Sequence, residues 1–155
     1  IVLRKAADGT PLHELSTPGG RTARQADFSP DGTEFAVATR GNEIPIFSAT
    51  GKPLLTIPTP TDQYYVLYTR DGKHLIASGG DNTLRIYARE TGKLVLELPL
   101  GRPVATSLAL SRDGTTLATA GGIAIDRPPG EPPQPGDFDV RLWRLPESVW
   151  PAPAK

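Results

Sequence analysis

The stretch FSPDGTEFAVATRG, residues 28–41, places the chemistry of a tight turn directly before that of a strand. Pro30 fixes its own φ, Asp31 can hydrogen-bond to the local backbone, and Gly32 accepts a positive φ. A mostly apolar run follows at once. The stretch therefore predicts two antiparallel strands joined by a short turn at residues 29–32.

This phrase belongs to a repeat. It returns as YTRDGKHLIASGG at 68–80 and as LSRDGTTLATAGG at 110–122, so the turn aspartates fall 40 and 42 residues apart. A second series, ADGTPL, ATGKPL and ETGKLV, places its glycines 42 and 41 residues apart. A third series reads IPIFS at 44–48, LRIYA at 84–88 and VRLWR at 140–144. Three phrases that share one period predict structural units of about forty residues.

Each unit has strand periodicity rather than helix periodicity. In TLRIY, Leu84 and Ile86 alternate with Thr83, Arg85 and Tyr87, which is the period of two expected of a strand. Four short strands fit each unit. The predicted strands cover 22–29, 34–39, 43–48, 53–58, 62–69, 74–78, 83–88, 94–99, 103–111, 116–120 and 139–144. The opening residues IVLRKAADGTPLHEL match only the third and fourth strands of a unit.

Composition excludes several classes of function. The chain has 17 basic and 17 acidic residues, and no basic stripe that would indicate a nucleic-acid binder. No apolar run approaches 18 residues, so membrane insertion is not expected. There is no cysteine, which excludes disulfides and thiolate chemistry. There is also no methionine, even at position 1, and we expect the chain to be processed or part of something longer.

The phrases FSPDG, LIASGGDNTLRIYARETGK and LATAGG…DFDVRLWRLPE together resemble WD40 repeats, and the resemblance covers nearly the whole chain. It implies an all-β fold, a WD40-like β-propeller fragment of about three and a half four-stranded antiparallel blades. The regular SPDG and TGK phrases are similar to those of bacterial members of the family.

The match to the family pattern is degenerate. The family often has a His before the first strand that bonds a Ser or Thr, an Asp and a Trp, but no His stands near Gly19, Thr59 or Gly101. By alignment of the phrases, the hydroxyl position reads Thr39, Ser78 and Thr119. The turn position reads Gly41, Asp81 and Asp137, and the tryptophan position reads Phe47, Tyr87 and Trp143. Without the His, we expect each blade to rely on apolar packing against its neighbours.

The period divides the chain into units. We expect a half blade at 1–20 that supplies third and fourth strands, then blades at 21–60, 61–100 and 101–145, and a tail at 146–155. The last blade carries a Pro-rich insertion at 122–136 that contains five of the chain's 17 prolines. Three and a half blades do not close a ring, so we expect further blades in a longer chain or other copies to complete one.

The sequence offers no constellation for catalysis. His13 and His74 have no partners at metal-ligand spacing, and we expect them to be ordinary edge or surface residues. Asp31, Asp71 and Asp113 occupy one repeated turn, which explains them by turn geometry. We therefore predict no catalytic, cofactor-binding or metal-binding residues and no cofactor.

The resemblance to the family implies that the insertion and the connections from fourth to first strands lie on one face of a propeller. Loops on a rigid frame are where binding concentrates, and Arg and aromatic residues are common anchors. The candidate partner-binding residues are Arg21, Arg40, Tyr64, Arg102, Arg127 and Phe138. The motif PGEP within the insertion has the spacing that aromatic grooves recognise, but we favour the simpler interpretation, a tolerated surface insertion that packs on a neighbouring blade or domain.

The predicted function is a non-catalytic scaffold or recognition module that binds other proteins through loops on that face. Two alternatives stay open at the level of sequence. The chain could be the portion of a propeller enzyme whose active site lies in other blades, or a purely structural subunit of a larger assembly.

Overall fold

The computed structural model describes residues 1–101, 105–122 and 138–144. In these ranges the chain forms thirteen strands and a single turn of 3₁₀ helix at Pro18–Gly20. Four antiparallel sheets result, which we call the half sheet, sheet I, sheet II and sheet III in chain order. No helix within the described ranges has the length and apolar character needed to cross a membrane.

The strands of each sheet follow one another in sequence. The half sheet contains β1 (Val2–Arg4) and β2 (Pro11–Glu14). Sheet I contains β3 (Ala23–Phe28), β4 (Glu34–Thr39), β5 (Glu43–Ser48) and β6 (Pro53–Pro58). Sheet II contains β7 (Gln63–Tyr68), β8 (His74–Gly79), β9 (Thr83–Ala88) and β10 (Leu94–Pro99). Sheet III contains β11 (Ala105–Leu110), β12 (Thr116–Gly122) and β13 (Phe138–Arg144).

The eleven strands of sheets I, II and III agree with the sequence prediction to within two residues at each end. The first strands of successive sheets lie side by side, since β7 contacts both β3 and β11. Sheets I and II are therefore joined along their inner edges, with β6 and β10 at their outer edges. The all-β prediction and the propeller-fragment architecture are confirmed.

The repeated turns explain why the same phrase recurs. Asp31 Oδ1 accepts hydrogen bonds from the Thr33 amide at 3.0 Å and the Ser29 hydroxyl at 2.6 Å. Asp71 and Asp113 make the equivalent bonds in sheets II and III. Gly32 has a φ of 70°, a backbone conformation that residues with a side chain rarely adopt. These hydrogen bonds hold the pKa of Asp31 below its ordinary value.

The apolar core lies between the sheets. Phe35, Val37 and Phe47 of sheet I pack against Ile1, Leu3 and Leu15, which belong to the half sheet and the residue after it. The opposite face of sheet I, with Ile44 and Ile46, joins sheet II in a second cluster. A third cluster joins sheets II and III and includes Ile76, Leu84, Ile86, Leu108 and Leu117. Each complete sheet is therefore apolar on both faces.

The last described sheet has one uncovered face. Ile86 of sheet II is fully buried because sheet III covers it. Leu142 occupies the corresponding position of sheet III and is 72% exposed, and Val140 beside it is 74% exposed. The two positions have similar chemistry and differ in whether a neighbouring sheet lies over them.

Polar contacts also link the sheets. We call the end of the sheets that carries the Asp31, Asp71 and Asp113 turns the turn end. There Arg89 of sheet II donates two hydrogen bonds to the Glu34 carboxylate of sheet I, and the Tyr68 hydroxyl donates a third at 2.9 Å. Arg70 donates to the carbonyls of Leu110 and Ser111 in sheet III. The interface between sheets I and II and that between sheets II and III thus each have a polar contact at this end.

Side chains of β3 also bind the inner edge of sheet II. Gln25 Oε1 accepts the Val66 amide at 2.9 Å, and Asp27 Oδ2 accepts the Tyr68 amide at 2.8 Å. An unpaired strand edge exposes its amides to solvent or to other chains. Here the two side chains accept the hydrogen bonds of two such amides. Burial raises the pKa of Asp27, against the lowering effect of the bond from Tyr68.

Candidate functional site

The loop end of the sheets, opposite the turn end, is where the partner-binding residues were predicted. It is formed by the connections β2–β3 and β6–β7 and by the turns β4–β5 and β8–β9. The buried Thr17 hydroxyl donates to the Arg21 carbonyl, and the buried Thr59 hydroxyl donates to the Thr61 carbonyl at 2.8 Å. These bonds fix the backbone of both connections.

Two predicted residues, Arg21 and Arg40, lie on adjacent segments of this end. The Arg40 amide donates to the Thr22 carbonyl at 2.9 Å. A Cβ atom at Gly41 would come within 2.9 Å of Arg21 Cγ, so the stem of Arg21 crosses the β4–β5 turn. Both arginine side chains are exposed. The geometry therefore presents two guanidinium groups to solvent from a fixed backbone.

Tyr64, a third predicted residue, lies in a contact between sheets that the sequence did not reveal. The Arg24 guanidinium of sheet I sits 4.0 Å from the centroid of the Tyr64 ring. The same group lies 2.8 Å from Asp62 Oδ2 and donates to the Gln63 carbonyl at 3.3 Å. Tyr64 is half-buried, and one face of its ring is covered. The only sequence signal for Arg24 and Asp62 is their opposite charge near the starts of successive inner strands.

An ionic cluster in sheet II links the β8–β9 turn with β9 and β10. Arg85 donates to both carboxylate oxygens of Asp81, at 3.0 and 2.6 Å, and to Glu97 Oε1 at 2.7 Å. The Arg85 side chain is only 5% exposed. Its hydrogen bonds hold the pKa of Asp81 below the ordinary value. The alternation in TLRIY, which puts Arg85 on the face of Tyr87, was the signal that it lies in an interface.

The predicted hydroxyl series is wrong in register. Each sheet has one residue that pairs with its aromatic position across the ladder. Thr119 follows that residue by two positions in its sheet, Ser78 by three and Thr39 by four. Only Thr119 meets its aromatic partner, accepting the Trp143 Nε1–H at 3.0 Å. Ser78 faces the other side of its sheet with Leu84, and Thr39 donates to the Glu43 carbonyl within a turn. The three phrases look alike, but their hydroxyl residues stand at different distances from the residue that pairs with the aromatic position. Aligning the phrases by eye therefore hid this difference in register.

The aromatic series itself is confirmed, with one consequence for sheet II. Phe47, Tyr87 and Trp143 lie opposite Phe35, Leu75 and Leu117. The residue in sheet II that corresponds to Thr119 is Ala77, and the buried Tyr87 hydroxyl has no hydrogen-bond partner in the described structure. Burial raises the pKa of Tyr87 to about 12.

Removing that hydroxyl should stabilise the protein. We expect Tyr87→Phe to raise the free energy of unfolding by about 1 kcal/mol, since an unpaired buried hydroxyl is costly. Tyr68→Phe is the matched control in the same core cluster. It loses a bond to a carboxylate and should lower the free energy by about 1.5 kcal/mol. Urea unfolding followed by fluorescence measures both, and equal effects of the two substitutions would contradict the assignment.

The remaining predicted residues are not described at the level of side chains. Arg102 and Arg127, and the insertion at 122–136 beyond its first residue, lie outside the described residues. Phe138 begins β13. His13 is exposed on β2, and His74 begins β8 beside the Asp71 turn. Within the described ranges no three His, Asp or Glu residues are arranged to hold a metal ion.

One segment of the chain matches a known protein family. Residues 51–88, from the β5–β6 turn to the end of β9, match the family described as WD domain, G-beta repeat. No curated protein matches the chain. WD40 repeats are typical of modules that bind other proteins or act as scaffolds. The matched segment lies within four-stranded antiparallel sheets joined along their inner edges, so this part of the chain is similar to a WD40 repeat, and the fold is consistent with a WD40-like propeller fragment.

Proposed function

We propose that the chain is a non-catalytic recognition module that binds other proteins through its loop end. The observation that carries this proposal is the pair of exposed arginines, Arg21 and Arg40, on backbone that local hydrogen bonds hold in place. Because local hydrogen bonds already hold the backbone at these positions, binding adds little cost of ordering the backbone, and Arg is enriched at energetically dominant interface positions.

The other proposed contacts are Tyr64, Arg102, Arg127 and Phe138. Tyr64 is held by Arg24, so one ring face and the hydroxyl are what it can offer to a partner. Positive charge at Arg21 and Arg40 favours an acidic surface on that partner, which would speed association through electrostatic complementarity. The division into units at 1–20, 21–60, 61–100 and 101–145, and the closure of a ring by further blades or copies, stay predictions.

The test begins with the natural protein. Its complex is isolated from the source cells, the partner is identified, and the purified partner is titrated calorimetrically with the chain. We expect the double substitution Arg21→Glu and Arg40→Glu to weaken binding at least about tenfold, or about 1.4 kcal/mol.

The control reverses the same amount of charge at the turn end. Lys52 and Lys93 are exposed in the β5–β6 and β9–β10 turns. Lys52→Glu with Lys93→Glu should change affinity by less than about twofold, because these side chains lie outside the proposed contact. An equal loss of affinity in both double variants would indicate that only the net charge of the chain matters. No loss of affinity in either variant would exclude the loop end as the binding site.

A further inference from the structure

Sheet I lacks the ionic cluster that fills the corresponding place in sheet II. Arg85 of β9 lies opposite Glu97 of β10, and at the same register of sheet I Pro45 lies opposite Thr56. The turn position that holds Asp81 in sheet II holds Gly41 in sheet I. Three charged side chains are thus replaced by residues that carry no charge.

A cleft opens where those charges are absent. It lies between the outer parts of the half sheet and sheet I and has a volume of about 260 Å³. We call it the outer cleft. Its apolar walls are formed by Leu15, Pro18, Pro45, Phe47, Pro53 and Leu55, and Glu14 lies at its edge.

Pro45 has a second effect on this region. The ladder between β4 and β5 ends at the pair Ala36–Ile46, whereas the ladder between β8 and β9 continues to Ser78–Leu84. Proline has no amide hydrogen, so it cannot donate within a sheet. Pro45, which stands where sheet II has the buried Arg85, therefore lies where the ladder of sheet I ends. It also forms part of the apolar wall of the outer cleft.

The chemistry of the outer cleft defines its occupant. Its volume is below the roughly 300–1,000 Å³ of pockets for whole small molecules, which suits one bulky side chain. Three of its wall residues are prolines, which offer no amide donors. The exposed Glu14 makes no ion pair within the described residues, so its charge is available to a cation.

We propose that the outer cleft binds an extended segment of a partner protein through one bulky apolar side chain, with a Lys or Arg beside it that meets Glu14. The outer cleft shares Leu15 and Pro18 with the β2–β3 connection of the loop end, but none of the proposed loop-end contacts Arg21, Arg40 and Tyr64 lines it. The two sites can therefore fail or succeed independently.

The experiment uses a phage-displayed library of random dodecapeptides selected against the full chain. Counter-selection uses the double variant Pro45→Arg with Thr56→Glu, which copies the Arg85–Glu97 pair of sheet II without changing net charge. We expect the enriched peptides to share a bulky apolar residue next to Lys or Arg.

Binding of the enriched peptides is then measured by fluorescence polarisation. We expect affinity to fall at least about tenfold in the double variant and about two- to fivefold in Glu14→Lys, as an exposed ion pair allows. The loop-end variant Arg21→Glu with Arg40→Glu should bind these peptides as the unaltered chain does, which separates this proposal from the loop-end function.

Three results would overturn the proposal: no enriched peptide, peptides that bind the double variant equally well, or a consensus with acidic flanks. Circular dichroism and urea unfolding check that the double variant folds. If it does not, NMR of the unaltered chain decides the question. An enriched peptide must then shift the resonances of Leu15, Phe47 and Leu55 most, and shifts elsewhere alone would exclude the outer cleft.

Discussion

Replacement of Ile86 by alanine should lower the free energy of unfolding by about 2–5 kcal/mol, the range for deleting a buried aliphatic side chain. Ile86 is fully buried between sheets II and III. The substitution removes apolar surface from that interface and leaves a cavity that close-packed neighbours fill only in part. Urea-induced unfolding, followed by circular dichroism, gives the free energy directly.

Leu142→Ala is the matched control, because Leu142 occupies the corresponding position of the next sheet but is 72% exposed. It should cost less than about 1 kcal/mol, as expected for a surface substitution. Comparable losses at the two positions would mean that Leu142 is covered in solution. In that case the uncovered face of sheet III would be an interface.

The second large effect is expected at Glu34. Glu34→Gln should lower the free energy of unfolding at neutral pH by about 3 kcal/mol, the upper end of the range for hydrogen bonds to charged groups. The Glu34 side chain is 12% exposed and accepts bonds from Arg89 and Tyr68. The substitution leaves the Arg89 cation without its carboxylate in a largely buried place.

This difference should depend on pH. The hydrogen bonds from Arg89, and then that from Tyr68, hold the pKa of Glu34 below its ordinary value of 4.5, against the raising effect of burial. A carboxyl with a lowered pKa in the folded state stabilises it above the ordinary pKa. That stabilisation is lost as the pH falls below 4.5 and through the folded-state pKa. The difference in the free energy of unfolding between the original chain and the Glu34→Gln variant should therefore become smaller at acidic pH.

Glu90→Gln gives the control for charge, since Glu90 is exposed in the β9–β10 turn. It should change the free energy of unfolding by less than about 0.5 kcal/mol at every pH between neutral pH and pH 3. A gap at Glu34 that stays constant from neutral pH to pH 3 would show that the carboxylate charge does not contribute.

The sequence predicted the sheets well because their determinants are local. The Asp31 turn uses residues within five positions of one another, and the alternation around Leu84 needs only one strand. Each of these local patterns then recurs in three units, so each prediction had three independent supports. Strand bounds agree closely for the same reason.

Contacts between strands and between sheets were harder to predict. The shift among Thr39, Ser78 and Thr119 depends on pairing register, which similar phrases do not reveal. The Arg24 contact with Asp62 and Tyr64 joins residues about one repeat apart, and their meeting depends on how two sheets pack. The sequence supplied the candidate residues Arg21 and Arg40 from loop position alone, and could not supply the hydrogen bonds that hold their backbone.

The side chains of Gln25 and Asp27 give the inner edge of sheet II an unusual property. The amides of Val66 and Tyr68 donate to these two side chains of sheet I, so their protection from hydrogen exchange depends on the neighbouring sheet. Amides that donate within sheet II stay protected until that sheet itself opens. The rates at Val66 and Tyr68 therefore report how often the two sheets separate while each remains folded.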